Sequence, residues 1–418
     1  MRFYVAPTEN TLLLGFTAPM SRGADGGLLI ESQTVSGLRG WRKHFDQVVA
    51  FTILRDGMAP QGWVPLDTDG LAAEGIEIVP LPDTYARAFG RTERDAVARQ
   101  LLELMRRTTY HTFGYGGWLG DPGEIAAATA RRHGIPHAVW FDRVESQVVR
   151  NSAGTGPKEW LKAMAKAAII RFHERRAVRK ADLSLLHGAT VFGHFEKIAR
   201  NPHQVEDVHF SEEDRIDAGS LARKLSSARQ EPMQILYCGR AARMKGPIDW
   251  LRVLVGLKER GIDFTARWVG DGEMLEEMRA FATGHGLTAG DLVLEGYVTD
   301  REAVRNFYRQ AHVQLFCHLT DESPRNLIES LHSATPLIGY RDPFAAGLIA
   351  ERGAGLMAPR GEVEELVSIL AALDADRDRL AELIARAAES ATHLTLDRVF
   401  AHRSDIIRSQ MPPARQLA

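Results

Sequence analysis

The second half of the chain alternates short apolar runs with segments of helical length, and this alternation limits the possible folds most strongly. Six runs have the length and composition of strands: 234–238, 264–269, 292–296, 313–317, 337–339 and 355–357. Five segments between them are typical of helices: 247–260, 273–285, 300–310, 324–333 and 344–352. Repeated strand–helix units predict a doubly wound α/β sheet with parallel strands. Ligands bind at the carboxyl ends of such strands, so the loops there are candidate site elements.

The first half shows the same alternation less regularly. Its apolar runs predict strands at 1–5, 11–16, 47–53, 76–81, 111–115, 137–141 and 183–186. The predicted helices are 28–38, 92–107, 122–133 and 157–180, and a glycine-rich loop, 21–27, precedes the first of them. The pattern predicts a second Rossmann-like sheet.

The length of the chain predicts two domains, because 418 residues exceed what a single hydrophobic core usually supports. A polar segment, 200–231, is interpreted as the connector, with the domain boundary within 205–230. We therefore predict one domain at 1–205 and a second domain at 206–395. Residues 396–418 are expected to form a C-terminal helix, for which packing back on the first domain is one option.

The composition excludes several classes of protein. A net charge of −2 gives no overall attraction to nucleic acid. The two cysteines, Cys238 and Cys317, lie in apolar runs without metal-ligand spacing, which is typical of buried thiols in a reducing compartment. The N-terminus lacks the pattern of a signal peptide, and no apolar run is long enough to span a membrane. These features predict a cytoplasmic protein.

The segment 320–330 combines acidic residues with the start of a helix. Asp321 and Glu322 precede Ser323 and Pro324, which are typical of an N-cap and a first helical position, and Glu329 follows inside the helix. The N-terminus of a helix favours phosphate, and carboxylates bind sugar hydroxyls. The combination predicts a nucleotide-sugar site; the alternative is an ordinary solvated acidic turn.

A second loop, 239–246, carries two cations after the strand 234–238. Arg240 stands at the strand end, and Lys245 stands five residues later, just before a helix opened by Gly246 and Pro247. A diphosphate leaving group concentrates negative charge and requires cations where it departs. The alternative is a solvated basic loop.

Together these segments resemble the C-terminal domain of GT-B glycosyltransferases of family 4. The resemblance covers residues 233–360 and rests on the order of four motifs: Arg240 with Lys245, Gly270-Asp271-Gly272, Gly296-Tyr297-Val298, and an acid spaced eight residues before Glu329. Asp321 has that spacing where the family has Glu, whereas Glu322 is one residue too close. The resemblance therefore implies that either Asp321 or Glu322 contacts the donor sugar, and leaves open which. Ala334 stands where the family usually has glycine.

The resemblance implies that the domain at 1–205 is the acceptor-side domain, that the domain at 206–395 binds the nucleotide-sugar, and that the two face each other across a cleft. It also implies a role for each matching residue. Arg240 and Lys245 would hold the donor diphosphate, Glu329 would accept hydrogen bonds from the ribose, and Asp321 or Glu322 would bind a sugar hydroxyl. The remaining donor-site candidates are the N–H groups of Arg325, Asn326 and Leu327, the base-lining Tyr297 and Val298, and the turn residues Gly270, Asp271 and Gly272. For the turn residues, a plain strand-to-helix turn is the alternative. The resemblance also implies retention of anomeric configuration, no metal and no cofactor, with a UDP-, GDP- or ADP-linked sugar as the substrate.

The first domain contributes acceptor-side candidates. His111, Tyr115, Asp142, Arg143 and Glu145 are predicted at strand ends, where each either contacts an acceptor or serves as a cap or turn. Gly26 and Gly27 lie where GT-B enzymes let the backbone approach the donor phosphate, and a simple turn is the alternative.

The predicted helix 157–180 is basic and amphipathic. It carries eight Lys and Arg residues against two Glu, with apolar residues between them. Such a helix suits peripheral contact with an anionic membrane and a lipid-linked acceptor. The alternative is a core-packed helix with a solvated basic face.

The sequence therefore predicts a retaining, metal-independent glycosyltransferase that acts on a glycan, lipid-linked or small-molecule acceptor. Two alternatives stay open: a nucleotide-sugar 2-epimerase of the same fold, and a non-catalytic nucleotide-sugar-binding or scaffold protein.

Overall fold

The structure, a computed structural model, describes residues 10–23, 26–57, 63–86, 90–116, 120–151, 156–321 and 323–414. The chain divides into two compact units. The first contains residues 1–209 with 397–418, and the second contains residues 210–396. The predicted strand at 1–5 lies outside the described residues.

The first unit contains a mixed sheet with helices. Its strands are β1 Thr11–Gly15, β2 Met20–Arg22, β3 Leu28–Glu31, β4 Gln47–Arg55, β5 Trp63–Pro65, β6 Ile76–Leu81, β7 Tyr110–Gly114, β8 Ala138–Phe141, β9 Leu183–His187 and β10 Pro202–Val205. Its helices are α1 Ser32–Arg42, α2 Thr68–Ala73, α3 Arg91–Arg106, α4 Pro122–Arg132, α5 Glu145–Asn151, α6 Pro157–Lys180 and α7 Gly188–Phe195.

Parallel pairing builds the main part of this sheet. Strands β10, β9, β8, β7, β1 and β4 are neighbours in that order, and β6 pairs with β4. Apolar side chains of β1, β4 and β7 pack with α3 and α4 into one core that includes Leu13, Phe51, Leu101 and Ile125. The predicted parallel α/β arrangement is confirmed for this unit.

A small antiparallel extension corrects the prediction of a helix at 28–38. Leu28–Glu31 form β3, which pairs antiparallel with β2, and the helix begins only at Ser32. A hairpin turn explains the difference: the N–H of Gly23 donates to Gly27 O (2.7 Å), and that of Gly26 donates to Gly23 O (3.0 Å). Gly26 has φ of +83°, a conformation that favours glycine.

The second unit contains six strands and eight α-helices within the described residues. The strands are β11 Met233–Cys238, β12 Phe264–Val269, β13 Leu292–Gly296, β14 Val313–Phe316, β15 Leu337–Tyr340 and β16 Gly355–Ala358. The helices are α8 Ala218–Gln230, α9 Pro247–Glu259, α10 Leu275–Gly284, α11 Arg301–Gln310, α12 Arg325–His332, α13 Pro343–Arg352, α14 Val363–Ala375 and α15 Arg377–Glu389. Short 3-10 turns occupy Glu212–Asp214 and Arg243–Lys245.

The strand order of the second unit is β13-β12-β11-β14-β15-β16, and every pair is parallel. The six strands and five helices predicted for this half are confirmed, with bounds that differ by no more than two residues. The order reverses between β11 and β14, and ligands bind at such a reversal in open α/β sheets.

The segment interpreted as a connector contains helix α8. Asp217 accepts a hydrogen bond from the N–H of Ser220 (2.9 Å) and caps the helix. Lys224 on this helix is buried, and its amine donates to the carbonyls of Tyr308 (3.0 Å) and Ser333 (2.7 Å). The segment looked like a connector because α8 buries few apolar residues.

The last helix, α16 Leu396–Gln410, packs in the first unit from Asp397 onwards. Phe400 lies edge-on to Trp41, with ring centroids 5.3 Å apart. The buried Arg403 guanidinium bonds to Asp207 (2.8 Å) and lies 4.3 Å from the Trp140 ring centroid. These contacts attach the C-terminal helix to the first unit.

Candidate functional site

The loops that follow β11, β12 and β13 are joined by backbone hydrogen bonds. The N–H of Gly239 donates to Val269 O (2.8 Å), and the N–H of Gly270 donates to Gly296 O (2.8 Å). A Cβ at position 270 would lie 2.1 Å from Gly239 O, so only glycine permits this approach. The exposed side chain of Asp271 bonds the N–H of Gly272 (2.7 Å). Gly270, Asp271 and Gly272 thus shape a turn beside the end of β11.

The cationic loop after β11 is held against the end of β14. Gly246 has φ of +63°, and a Cβ there would lie 2.0 Å from Cys317 O. The N–H of Leu319 donates to Met244 O (2.8 Å). These contacts place the half-buried Lys245 beside the reversal in strand order, while Arg240 is exposed at the end of β11.

Helix α12 begins at the same place, slightly later than predicted. Pro324 is the N-cap residue, and the Ser323 hydroxyl makes no capping bond. Pro324 has no backbone N–H, and its extended backbone (ψ 125°) makes it the residue that flanks the helix and not the first helical residue. The side-chain amide of Asn326 donates to Cys238 O, the last carbonyl of β11.

The first turn of α12 offers fewer donors than predicted. The N–H of Leu327 donates to Pro324 O (3.2 Å), so the expectation that Leu327 helps to bind phosphate is corrected. The backbone N–H groups of Arg325 and Asn326 remain the phosphate-binding candidates at this helix N-terminus.

Glu329 lies beside two buried neutral groups. Its Oε2 accepts a hydrogen bond from the hydroxyl of Tyr308 (3.4 Å), and Tyr308 also bonds the thiol of Cys238. Burial raises the pKa of Cys238 and that of Tyr308, so both stay protonated beside the carboxylate. Glu329 itself is half-buried. The long bond to Tyr308 leaves carboxylate lone pairs for hydroxyl groups of a ligand.

Asp321 forms an ion pair that the sequence analysis did not predict. Its carboxylate bonds the guanidinium of Arg360, which follows β16, and both side chains are partly exposed. Glu322, the rival for contact with the donor sugar, lies outside the described residues. Arg360 does not belong to any of the four motifs on which the resemblance rests. It lies close to Asp321 only because of the order of the strands in the sheet.

His318 is a second residue at this place that no sequence pattern indicated. It follows β14, is 1% exposed, and its Nε2 lies 3.0 Å from the hydroxyl of Tyr237. Its Nδ1 has no hydrogen-bond partner in the described part of the chain. Burial lowers the pKa of His318 well below its usual range, and the charges of Lys245 and Arg360 lower it further. A neutral imidazole with an unpartnered nitrogen therefore lies among the candidate residues.

Tyr297 and Val298 follow β13 at the same edge of the sheet. Tyr297 is 47% exposed, so much of its side chain is accessible to a ligand. Val298 packs against the core that contains Leu236 and Val269. Their arrangement leaves the Tyr297 ring available for stacking.

Two acceptor-side candidates of the first unit prove to be core residues. His111 is the second residue of β7, fully buried, and its ring nitrogens lie 2.9 Å from Pro136 O and 3.2 Å from Met105 O. Tyr115 is 5% exposed and packs on Phe141. Burial lowers the pKa of His111 and raises that of Tyr115. Contact with an acceptor is therefore corrected to a structural role, because neither side chain reaches the surface.

Two of the three candidates after β8, Asp142 and Arg143, are exposed, and Glu145 is half-buried. Asp142 is exposed and accepts a hydrogen bond from the Trp140 indole. Arg143 is exposed and bonds Glu145 (2.5 Å) at the start of α5. All three stay candidates for acceptor binding. Gly26 and Gly27 lie in the β2–β3 hairpin turn rather than before a helix.

Asp121 was not predicted from the sequence. It is 1% exposed and accepts hydrogen bonds from the Tyr85 hydroxyl (2.9 Å) and from the N–H groups of Gly116 (2.8 Å) and Glu124 (2.9 Å). Burial raises its pKa to about 6 despite these bonds. The Asp-Pro step that caps α4 was the available signal. Asp121 joins the loops after β6 and β7.

No three His, Cys, Asp or Glu side chains of the described residues are grouped so that they could hold a metal ion. None of the described helices is long and apolar enough to cross a membrane.

The two parallel-sheet units define the GT-B class, and the chain matches solved GT-B glycosyltransferase structures. HepE from Anabaena, in complex with UDP and glucose, has 13% sequence identity and a TM-score of 0.68, covering 96% of this chain and 100% of that chain. Sucrose-phosphate synthase from Thermosynechococcus elongatus has 12% identity and a TM-score of 0.66, covering 96% and 98%. WaaG, a glycosyltransferase involved in lipopolysaccharide biosynthesis, has 13% identity and a TM-score of 0.65, covering 95% and 99%.

The match in sequence covers a shorter part of the chain than the structural matches do. Residues 221–390 match the family model of glycosyl transferases group 1. That segment includes Arg240, Lys245, Asp321 and Glu329. No curated protein matches the chain in sequence.

Proposed function

We propose that the protein is a retaining, metal-independent glycosyltransferase of the family 4 type. It would move a sugar from a nucleotide-diphosphate-sugar to a glycan, lipid-linked or small-molecule acceptor. One observation carries the proposal: the cationic loop and the N-terminus of α12 both reach the reversal between β11 and β14. The bond from Leu319 N–H to Met244 O fixes the loop there, and the Asn326 bond to Cys238 O fixes the helix.

Positive charge at this place suits the diphosphate of a donor. Arg240 and Lys245 bind the phosphates and stabilise the charge that develops as the diphosphate leaves. The N–H groups of Arg325 and Asn326 add donors at the positive end of the α12 dipole. These groups supply the positive charge for which other enzymes use a bound cation.

Carboxylates and His318 bind the hydroxyl groups. Glu329 accepts hydrogen bonds from the ribose, and Asp321 or Glu322 accepts one from the donor sugar. Asp321 exchanges its ion pair with Arg360 for this contact, which costs little because both partners are partly exposed. The unpartnered Nδ1 of His318 bonds the donor, since a buried polar nitrogen without a partner is costly.

We propose UDP as the nucleotide of the donor, with GDP and ADP as the alternatives. HepE, the Anabaena protein of the same fold, was solved with UDP and with UDP-glucose. Tyr297 stacks on the base. The test is the thermal unfolding midpoint with UDP, GDP and ADP; a clear rise with one nucleotide supports the donor site, and a midpoint unmoved by all three overturns it.

The reaction is proposed to proceed on one face of the donor sugar. The acceptor hydroxyl attacks the anomeric carbon on the side from which the diphosphate leaves. The departing phosphate takes the proton of that hydroxyl, so no protein base is required. Analysis of the product by NMR tests retention: an inverted anomeric configuration contradicts this route. A donor sugar isomerised without any acceptor identifies an epimerase instead, and nucleotide binding without turnover identifies a binding protein.

The acceptor and the location are also proposals. Asp142, Arg143 and Glu145 are the acceptor-binding candidates. The buried thiols of Cys238 and Cys317 agree with a cytoplasmic location. We also propose peripheral contact of residues 157–180 with an anionic membrane. The surface of α6 would make this contact, independently of the donor site.

A further inference from the structure

Helix α6 has apolar residues on two opposite faces. The inner face packs in the first unit through Ala167, Ile170, Ala177 and Val178, which are at most 8% exposed. On the same side, the buried Glu174 accepts hydrogen bonds from the N–H (3.1 Å) and hydroxyl (2.6 Å) of Ser146. The core therefore accounts for one face only.

The outer face carries large apolar side chains that contact water. Leu161, Ala165, Ala168, Ile169 and Phe172 are exposed and recur at the spacing of one helical face, opposite the inner residues. Leu161 is 64% exposed, Ile169 50% and Phe172 63%, and the neighbouring Trp160 is 53% exposed. Of seven exposed large hydrophobic side chains in the described part of the chain, these are four. Such a concentration marks an interaction surface.

Positive charge surrounds this apolar stripe. Lys158, Lys162, Arg171, Arg176, Arg179 and Lys180 are exposed, and none of them forms an ion pair with a described residue. Of the two acids of the helix, Glu174 faces inward and only Glu159 is exposed. The outer face is therefore both apolar and strongly basic, in a chain whose net charge is −2.

We propose that the outer face of α6 docks on an anionic lipid bilayer. Leu161, Ile169 and Phe172 enter the boundary between head groups and acyl chains, Trp160 lies at the interface, and the basic side chains contact lipid phosphates. The helix lies in the membrane surface and does not span it. Dimerisation through this face is disfavoured, because the basic side chains of the two copies would lie opposite each other and repel. Nucleic acid would leave the apolar stripe in water.

Co-sedimentation with lipid vesicles tests the proposal on the full-length chain. We expect binding to vesicles of equal parts phosphatidylcholine and phosphatidylglycerol, weaker binding at high salt, and little binding to phosphatidylcholine alone. Leu161→Ser with Phe172→Ser should weaken binding at least about tenfold. Lys158→Glu with Lys162→Glu should weaken it by a similar factor or more. Val64→Ser is the matched control, since Val64 is exposed on β5, outside this face.

A second measurement reports the depth of the helix. Brominated lipids should quench tryptophan fluorescence of the protein, and Trp160→Phe should remove most of that quenching. Equal binding to both kinds of vesicle, or full binding by the serine variant, overturns the proposal. So does a dimer that the serine substitutions dissociate, because a second copy would then cover the face. The nucleotide-dependent rise in the unfolding midpoint is measured without vesicles, so failure of the docking surface and failure of the donor site are distinguishable.

Discussion

The side-chain amide of Asn326 donates a hydrogen bond to the carbonyl of Cys238, and so joins the first turn of α12 to the end of β11. These residues are 88 positions apart in the chain and belong to elements on either side of the reversal in strand order. The bond fixes where the helix N-terminus lies relative to Arg240. We therefore expect Asn326 to position the groups proposed to bind phosphate, in addition to offering its own N–H.

Replacing Asn326 by Ala should lower both stability and donor affinity. The buried carbonyl of Cys238 would lose its partner, at a cost of about 1–3 kcal/mol in the free energy of unfolding. UDP affinity, measured by calorimetry, should fall as the helix N-terminus shifts. Ser330→Ala is the control, because it loses only a bond within α12, from the Ser330 hydroxyl to Asn326 O (2.9 Å). Unchanged UDP affinity in Asn326→Ala would contradict the positioning role.

Lys245→Ala should weaken UDP binding by about 1.5–3 kcal/mol, or roughly tenfold to 150-fold, because a charge-assisted bond to phosphate is lost. Lys258→Ala removes the same charge from α9 at a partly exposed ion pair with Asp291 and should leave UDP affinity unchanged. Equal affinities of the two variants would remove Lys245 from the donor site.

Two substitutions of His318 separate its two nitrogens. Asn places its polar group near the position of Nδ1, whereas Gln places it near that of Nε2, which contacts Tyr237. We expect His318→Asn to retain more donor affinity than His318→Gln, because Nδ1 is the atom proposed to bond the donor. Calorimetric titration with the UDP-sugar decides; the opposite order would assign His318 to packing with Tyr237 alone.

Asp121 predicts a pH dependence of stability. Its pKa of about 6 in the folded chain lies above its ordinary 3.8, so its contribution is fully present below about pH 4 and is lost as the pH rises through about 6. The difference of about two pKa units corresponds to roughly 3 kcal/mol. Urea unfolding across this range should show that loss in the parent chain and not in Asp121→Asn. Tyr85→Phe, which removes a bond to the carboxylate, should move the loss to higher pH. Parallel pH profiles for the parent and Asp121→Asn would disprove the assignment.

Ala334→Gly should stabilise the protein. Ala334 follows α12 with φ of +54°, where a side chain costs about 1–2 kcal/mol. Part of this gain is offset by the greater freedom of glycine in the unfolded chain, so we expect roughly 0.5–1 kcal/mol. Ala280→Gly, in the exposed interior of α10, should instead destabilise by about 1 kcal/mol. Denaturant midpoints measure both, and a loss of stability in Ala334→Gly would refute the strain.

Local patterns predicted much of the fold because they depend on neighbours in the chain. The six strands of the second unit follow from their apolar composition, and Pro247 and Pro343 stand at helix starts where proline fits. The predictions failed for elements whose interaction partners are distant in the sequence. Leu28–Glu31 form a strand because β2 and β5 pair with it, and α8 buries Lys224 because the carbonyls of Tyr308 and Ser333 accept hydrogen bonds from its amine.

The same distinction applies to the candidate site. Local patterns indicated Arg240 and Lys245 by their places at a strand end and before a helix, and Glu329 by its spacing from Asp321; their roles in donor binding stay predictions. His318 and Arg360 were not, because a lone His or Arg after an apolar run carries no pattern. His111 was predicted at a strand end, and only the packing around β7 shows that its ring is enclosed.

The sequence by itself determined the type and limits of most elements, because turn residues and apolar periodicity act over a few residues. Only the tertiary structure decided which loops meet. The order of the strands places β11 beside β14, and this brings Cys238, Asn326 and Lys245 to one place. It also decided that α6 presents apolar residues outward, because one face of a helix can pack on the core while the opposite face remains in contact with water.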